Sequence, residues 1–555
     1  MLRARASLLT ALLGLTHLLA APGPALATWK ANGNPVCRAP GNQSSQAAIS
    51  DGSGGIFVTW FDQRPGAPGV YAQRMLADGS IAPGWPEDGV LCSGTTAAGA
   101  PTPVPDGTGG ALILWVAGPI YAQRIDADGG MHAGWPTNGK LITSDLSVAG
   151  NAQYVRFVPD GAGGAYFTRV TFNPSSFSHT LRLTRIGSDG SFAPGWSEAG
   201  VAVAGGYYVT LFRMDADPTG GVVLALWART DDWVDFQFGF VKRVGANGAI
   251  SYQADATSHC SGGAPVPEGV TWVSAAPDGN GGAYAMWFDQ SDSGPCYFAQ
   301  HFSAAGQPLW PVPTSMPFAD PPIRDGTSGI WYVRSPSSGI EVHRRLTAGQ
   351  LPPGWTPGGV HVADFVTLAG IATGTFPTVV VICWSADTGS GHDIRALSVR
   401  QDGVIPPGWD PGGTLFCDAP GNQMWPVLVL EGAGALACWQ DFRPGATSPD
   451  LYANRIQPSN PVGVEPEVVT RFALIGVRPN PALERATVEF TLPDAAPATI
   501  EMLDLTGRRI ARIAGAERAG RQSVPLGLEG IRPGVYWVRL VQGPSSATTR
   551  FAVVR

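Results

Sequence analysis

A unit of about fifty residues recurs along most of this chain, and a period of that length restricts it to solenoids, propellers or arrays. The first copy runs Asp51-Gly-Ser-Gly-Gly55, Ile56-Phe-Val-Thr-Trp60, Phe61-Asp-Gln-Arg64, Tyr71-Ala-Gln-Arg74, Ala77-Asp-Gly79, Gly84-Trp-Pro86 and Gly89-Val-Leu-Cys92. The second keeps that order, with Asp106-Gly-Thr-Gly-Gly110, Trp115, Tyr121-Ala-Gln-Arg124, Ala127-Asp-Gly129, Gly134-Trp-Pro136 and Gly139. Weaker copies are marked by Asp160, Asp217, Asp278 with Phe298-Ala-Gln-His301, Asp325, Cys383-Trp384, and Cys438-Trp-Gln-Asp441 with Tyr452-Ala-Asn-Arg455. That makes eight.

Each copy predicts four short strands, in the first copy Gln46–Ile49, Ile56–Trp60, a third containing Tyr71–Arg74, and Val90–Cys92. β-branched and aromatic residues alternate there between Gly, Pro and Asp turns. With 73 Gly, 49 Pro and 18 Trp but only 14% charged residues, the chain suits many strands and tight turns and not disorder. Four strands per unit read as propeller blades. The chain ends separate a ring from an open array. The eighth copy stops after Ile456 without its fourth strand, while Trp29-Lys-Ala-Asn-Gly33-Asn-Pro-Val-Cys37 repeats the spacing of Trp85-Pro-Glu-Asp-Gly89-Val-Leu-Cys92. Cys37-Arg-Ala-Pro-Gly-Asn-Gln43 also matches Cys417-Asp-Ala-Pro-Gly-Asn-Gln423. The missing outer strand of the last blade is therefore expected at the start of the chain, where it would tie a circle shut and cover a bare sheet edge. The expected fold is all-β: an eight-bladed propeller, with seven blades as the alternative, closed by its N-terminal strand. The Trp ending the second strand of most copies is expected to be core.

Residues 1–27 read as an export signal: Arg3 and Arg5, an apolar stretch from Leu8 to Ala21, then Ala25-Leu26-Ala27 with small residues before the cut. That stretch is shorter than the ~20 residues a spanning helix needs, and none later qualifies. Without Arg3 and Arg5 the chain holds 34 basic and 43 acidic residues, a balance of −9 with no basic stripe. Nucleic acid and anionic membrane are not expected partners. The seven cysteines contain no C-x-x-C, which excludes a zinc ribbon; most are expected to be buried, with Cys260–Cys296 as the one disulfide to consider.

The repeats occupy 28–456, and Gln457-Pro-Ser-Asn-Pro461-Val-Gly-Val-Glu-Pro466 opens a Pro-rich linker, 457–473. Residues 474–555 form a separate module of alternating strands, Thr487–Leu492, Thr499–Met502, Gly534–Leu540 and Thr548–Val554, expected as a small antiparallel sandwich. Its ordered motifs, Arg478-Pro-Asn-Pro481, Val488-Glu-Phe-Thr-Leu-Pro493, Asp504-Leu-Thr-Gly507-Arg508-Arg509, and Gly530 followed by Pro533-Gly-Val-Tyr536, closely resemble the C-terminal sorting domain of type IX secretion cargo. They are also similar to the immunoglobulin-like domain of the flagellar hook-capping family. The resemblance implies export across a Gram-negative-type outer membrane, by engagement of secretion machinery, to the medium or the cell surface. The chain ends on a single arginine, Arg555, where that family ends Lys-rich.

No catalytic motif is present: no G-x-S-x-G, no H-E-x-x-H, no phosphate loop. Seven histidines of the mature chain fall at unrelated places in different copies. Asp126, Asp128, Asp215, Asp217 and the Asp-Gly turns could supply oxygens to Ca2+, but Asp before Gly is chiefly a turn device, and no cofactor or metal site is assigned. The candidate ligand face is the set of loops after the second strand, carrying Asp62, Arg64, Asp289, Asp441 and Arg443; an Asp–Arg pair bracing each turn is the plainer reading of the same residues. The expected function is binding of a surface protein or polysaccharide by a monomeric, non-enzymatic propeller. A hydrolase or lyase with a site assembled from several blades is the alternative, and an architectural envelope component a third.

Overall fold

A computed structural model describes residues 29–456 and 472–554, apart from 96–99, 145–154, 207, 230–236, 257–269, 292–293, 312–313, 317–321, 326–328, 335–338, 365–367, 377, 390, 432–433, 444–447, 484, 493–495 and 515–519. The expected signal at 1–27, nearly all of the linker, and Cys260 with its proposed bridge lie outside the described residues. The described residues are all-β and contain no helix long and apolar enough to cross a membrane.

Residues 29–456 build eight four-stranded antiparallel sheets. In the first, Gln43–Ser50, Ile56–Asp62, Gly69–Met75 and Val90–Ser93 pair in sequence order. Each strand includes the segment expected from its sequence, with up to three further residues at an end. Six more sheets repeat the pattern, running from Thr102–Pro105, Phe157–Pro159, Tyr208–Ala216, Val270–Pro277, Ile323–Arg324 and Leu368–Phe376. The eighth is discontinuous in sequence: Gln423–Glu431, Gly434–Asp441 and Asp450–Ile456 are completed by Asn34–Cys37. Asn34 lies opposite Ala453, Pro35 opposite Tyr452 and Cys37 opposite Leu451.

The first strand of each sheet lies beside the first strand of the next, from the first sheet to the eighth, and Gln423–Glu431 lies beside Gln43–Ser50. Two tryptophans in most repeats pack these layers. Trp60, Trp115, Trp287, Trp384 and Trp439, toward the ends of second strands, are fully buried, and so is Trp331, which takes the place of Phe57. They explain the glycine before the outer strand in the first, second, seventh and eighth sheets. A Cβ on Gly89 would come within 2.4 Å of the Trp60 ring, and one on Gly33 within 2.6 Å of Trp439, with φ at +81° and +86°. Only glycine fits both the contact and the left-handed backbone. Gly33, near the start of the chain, thus does for the last sheet what Gly89 does for the first.

The second tryptophan links neighbours. Trp85 Nε1 donates to Ala127 O in the next sheet at 3.0 Å, Trp196 to Ala246 O at 2.9 Å, and Trp355 to Gln401 O at 2.9 Å. Trp29 makes the same bond to Ala77 O in the first sheet, at 3.0 Å.

Residues 472–554 form a three-stranded sheet, Ala473–Arg478, Arg485–Leu492 and Gly520–Gly527, and a four-stranded one in the order Arg509–Ala514, Ala498–Leu503, Gly534–Gln542, Ser545–Val553. Val488 and Phe490 from the first share a core with Ile500, Met502, Val538 and Leu540 from the second.

Candidate functional site

In the first and eighth sheets the turn after the second strand reverses the chain where a buried tryptophan needs a partner for its indole N–H. Asp62 supplies it. The carboxylate is wholly buried; Oδ2 accepts from Trp60 Nε1 at 2.8 Å and from an Arg64 amino group at 2.7 Å, and Oδ1 accepts from Arg64 N at 2.8 Å. The Arg64 guanidinium also donates to Asp88 O at 2.8 Å and lies 3.8 Å above the Tyr71 ring. The eighth sheet repeats this clasp: Asp441 accepts from Trp439 Nε1 at 3.0 Å and from Arg443 at 2.6 and 2.8 Å, and Arg443 lies 3.8 Å above Tyr452. Arg443 donates as well to Asn32 O at 2.7 Å, so the clasp also grips the returning N-terminus.

The two clasps are neighbours. Gln43, opposite Asp62, donates its N–H to Pro449 O at 3.2 Å, beside Asp450, which is opposite Asp441. Burial and then the Asp441 carboxylate lift Asp450 to about 6, against the pull of Arg38 and Arg443. Asp289 is placed elsewhere: its backbone pairs with Val270 and Cys296 in the fifth sheet, whose neighbours are the fourth and sixth. Its side chain lies outside the described residues. Of the five sequence-predicted residues, four come together as two ion pairs in the turn-bracing geometry, with Arg64 Nε buried and unbonded.

What the clasps leave open is Trp425. At the start of the eighth sheet's first strand, Trp425 adopts φ +51° and is 47% exposed; its counterpart across the junction, Ser45, has φ +56° and is exposed. Both sit in strand irregularities, Met424/Val427 and Ser44/Ala47. A bulky residue rarely takes a left-handed backbone, which costs on the order of 1–3 kcal/mol, and such outliers cluster at ligand sites. Here Gln46 Nε2 of the first sheet holds Trp425 O at 2.7 Å, and Gln440 Nε2 holds Gln46 Oε1 at 2.8 Å. The bulge is locked by its neighbour while its indole faces outward. The sequence signal was a departure between otherwise matched copies, Gln423-Met-Trp-Pro426 against Gln43-Ser-Ser-Gln46.

The Asp-Gly turns carry a second repeated pair. Asp51 meets Arg74 at 2.9 Å, Asp106 meets Arg124 at 2.9 Å, Asp217 meets Arg243 at 2.6 Å and Asp325 meets Arg344 at 2.6 Å. Burial raises Asp51 and Asp106, but turn donors and the arginines outweigh it and hold both below the usual carboxylate range. In the fifth sheet histidine replaces the arginine: His301 Nε2 faces Asp278 Oδ2 at 3.0 Å and Nδ1 faces Thr347 O at 3.1 Å. Beside it lies a polar cavity of about 210 Å³, lined by Asp278, Tyr284, His301, Arg324 and Asp325 among others. The Ca2+ candidates are engaged locally: Asp126 with His132 at 2.6 Å, Asp215 with Arg213 at 2.5 Å, and Asp217 in its turn. Among the described residues no three His, Cys, Asp or Glu converge as metal ligands.

Residues 477–554 match the family described as the secretion system C-terminal sorting domain. This tail marks an exported protein, secreted by the type IX system to the cell surface of Bacteroidetes-type bacteria, and implies interaction with that machinery. No curated protein matches the chain. Among solved structures the chain is similar to a eukaryotic initiation factor (8% identity, 85% of this chain and 98% of that one, TM-score 0.36). It is also similar to prolyl endopeptidases studied for inter-domain dynamics (12%, 75% and 60%, TM-score 0.39). A third is the acylaminoacyl peptidase of Pyrococcus horikoshii (9%, 82% and 59%, TM-score 0.38). The chain thus spans about six tenths of each peptidase.

Proposed function

We propose that the eight sheets are blades of a closed propeller, that the C-terminal pair of sheets is an immunoglobulin-like sandwich, and that the exported protein is a non-enzymatic scaffold binding a surface polysaccharide or protein. Closure is supported by the ring of neighbouring first strands and by Trp29, which reaches the first sheet as Trp85 reaches the second. The ligand edge is the junction of the eighth and first blades, where the loops of Asp62, Arg64, Asp441 and Arg443 supply a rigid base. The fifth-blade loop of Asp289 belongs to the same rim of the ring.

The observation that carries the binding reading is Trp425, an exposed indole held at φ +51° by a bond from the neighbouring sheet. An indole face suits the apolar face of a sugar ring or an aromatic side chain, and rigid scaffolds commonly present recognition groups this way. Screening the mature protein and Trp425→Ala on a glycan array tests it. Loss of signal with unchanged melting is expected; a Trp425→Ala protein that binds as well as wild type would end the assignment. The hydrolase or lyase reading would rest on the cavity at His301, yet Asp278 is tied to His301 and Asp325 to Arg344.

A further inference from the structure

Outside the repeats, charge is distributed in the opposite sense. Residues 474–555 contain eleven arginines, no lysine and seven acidic residues, a balance of +4, whereas residues 28–473 hold 23 basic and 36 acidic residues, a balance of −13. Strand register gathers four of those arginines on one face of the four-stranded sheet. Arg512, Glu501, Arg539 and Thr548 lie opposite one another across its four strands, and Arg509, Leu503, Trp537 and Arg550 form the adjacent row. Strands stand about 4.8 Å apart and rows two residues along a strand about 7 Å, so the four guanidiniums share a patch roughly 15 Å across. The other face of the sheet is core.

One carboxylate holds two of the four. Glu501, 9% exposed at its side chain, accepts from Arg509 at 3.0 Å through Oε1 and from Arg539 Nε at 3.0 Å through Oε2. Arg509 and Arg539 remain 56% and 44% exposed, Arg512 and Arg550 are exposed, and Trp537 stands between Arg539 and Arg550 along the sheet. Glu501 fixes two forks in place without neutralising the patch.

We propose that this arginine face of the C-terminal domain is a docking surface for an acidic polysaccharide. The inference is independent of the propeller reading. Arginine and tryptophan are also enriched at protein–protein interfaces, but four guanidiniums spread over two rows of one sheet match a polymer that carries an acid group at every repeat. Arginine forks suit planar carboxylates or sulfates bidentately, which lysine does not, and the domain uses arginine throughout. The indole adds a stacking face between the acid-binding groups. The acidic repeats repel a polyanion, so attraction is confined to the C-terminal domain.

The test uses the mature full-length protein on immobilised polygalacturonate, with neutral dextran and acidic phospholipid vesicles in parallel. Retention on polygalacturonate that weakens steeply with salt is expected, with little on dextran. Arg512→Ala with Arg550→Ala should weaken it at least tenfold, the double Lys variant should recover it only in part, and Arg485→Ala, on the other sheet, should change it less than twofold. Melting of each variant checks the fold. No retention, equal loss on Arg485→Ala, an unaffected double Ala variant, or vesicle binding as tight as polygalacturonate would each overturn the assignment.

Discussion

Arginine has opposite fates in the two parts of this molecule. In the Asp-Gly turns of the repeats, Arg74, Arg124, Arg185, Arg243 and Arg344 are 6–21% exposed and each meets a carboxylate that is almost wholly buried. In the C-terminal domain, Arg509 and Arg539 share one carboxylate and stay about half exposed. A buried charge pair belongs to the interior, because removing one partner strands the other; an exposed pair is screened and contributes little. The turn arginines of the repeats are therefore structural, whereas Arg509 and Arg539 keep about half of their surface in solvent. Composition alone would have given both the same role.

The strongest challenge to this contrast is Asp441→Ala, which strands the Arg443 guanidinium and the Trp439 N–H. A loss of about 3–5 kcal/mol is expected from urea unfolding; a loss under ~1 kcal/mol would place the clasp outside the interior. Gly33→Ala comes next, at about 1–3 kcal/mol for overpacking against Trp439. Its effect should match that of Gly89→Ala, because the two contacts are equivalent, and a harmless Gly33→Ala would separate the N-terminal strand from the last sheet.

The dependence on pH sharpens the contrast within the repeats. Asp51 and Asp106 are held low when folded, so their stabilisation is present above the ordinary aspartate range and lost as pH falls below it. Asp450 runs the other way. Its carboxyl is lifted to about 6, so the folded state holds the extra proton and stability declines as pH rises from about 4 to about 6. Asp450→Asn should thus raise stability at pH 8 by about 1 kcal/mol after allowance for its partial exposure, and by almost nothing at pH 4. Equal melting of the two proteins at pH 8 would refute the lift. Smallest of all, Arg550→Ala should move the unfolding midpoint by no more than about 0.5 kcal/mol, as an exposed residue should; a larger cost would make the tail's arginines structural too.

Much of this architecture was legible in the residues. The spacing from Trp29 to Cys37 matched that from Trp85 to Cys92, and the strand Asn34–Cys37 pairs with Asp450–Ile456 accordingly. The Asp-x-Arg turns were visible both as a ligand platform and as a brace, and the atoms adopt the brace. Spacing cannot separate those readings, because the same three residues serve either; what differs is whether the carboxylate faces water or an indole N–H. Trp425 is invisible to the period, because it falls where one copy departs from the others. His301 stood in plain view as the odd residue of Phe298-Ala-Gln-His301, yet counted only as another scattered histidine.

The order of turns, strands and tryptophans was set by local rules: left-handed glycines, alternation, and aspartate before glycine, all acting over a few residues. Which carboxylates became buried, which indole stayed in solvent, and which arginines shared one face were decided by the packing of segments hundreds of residues apart, such as Gln46 on Trp425. Desolvation and register act only once those surfaces meet, and no local spacing encodes them.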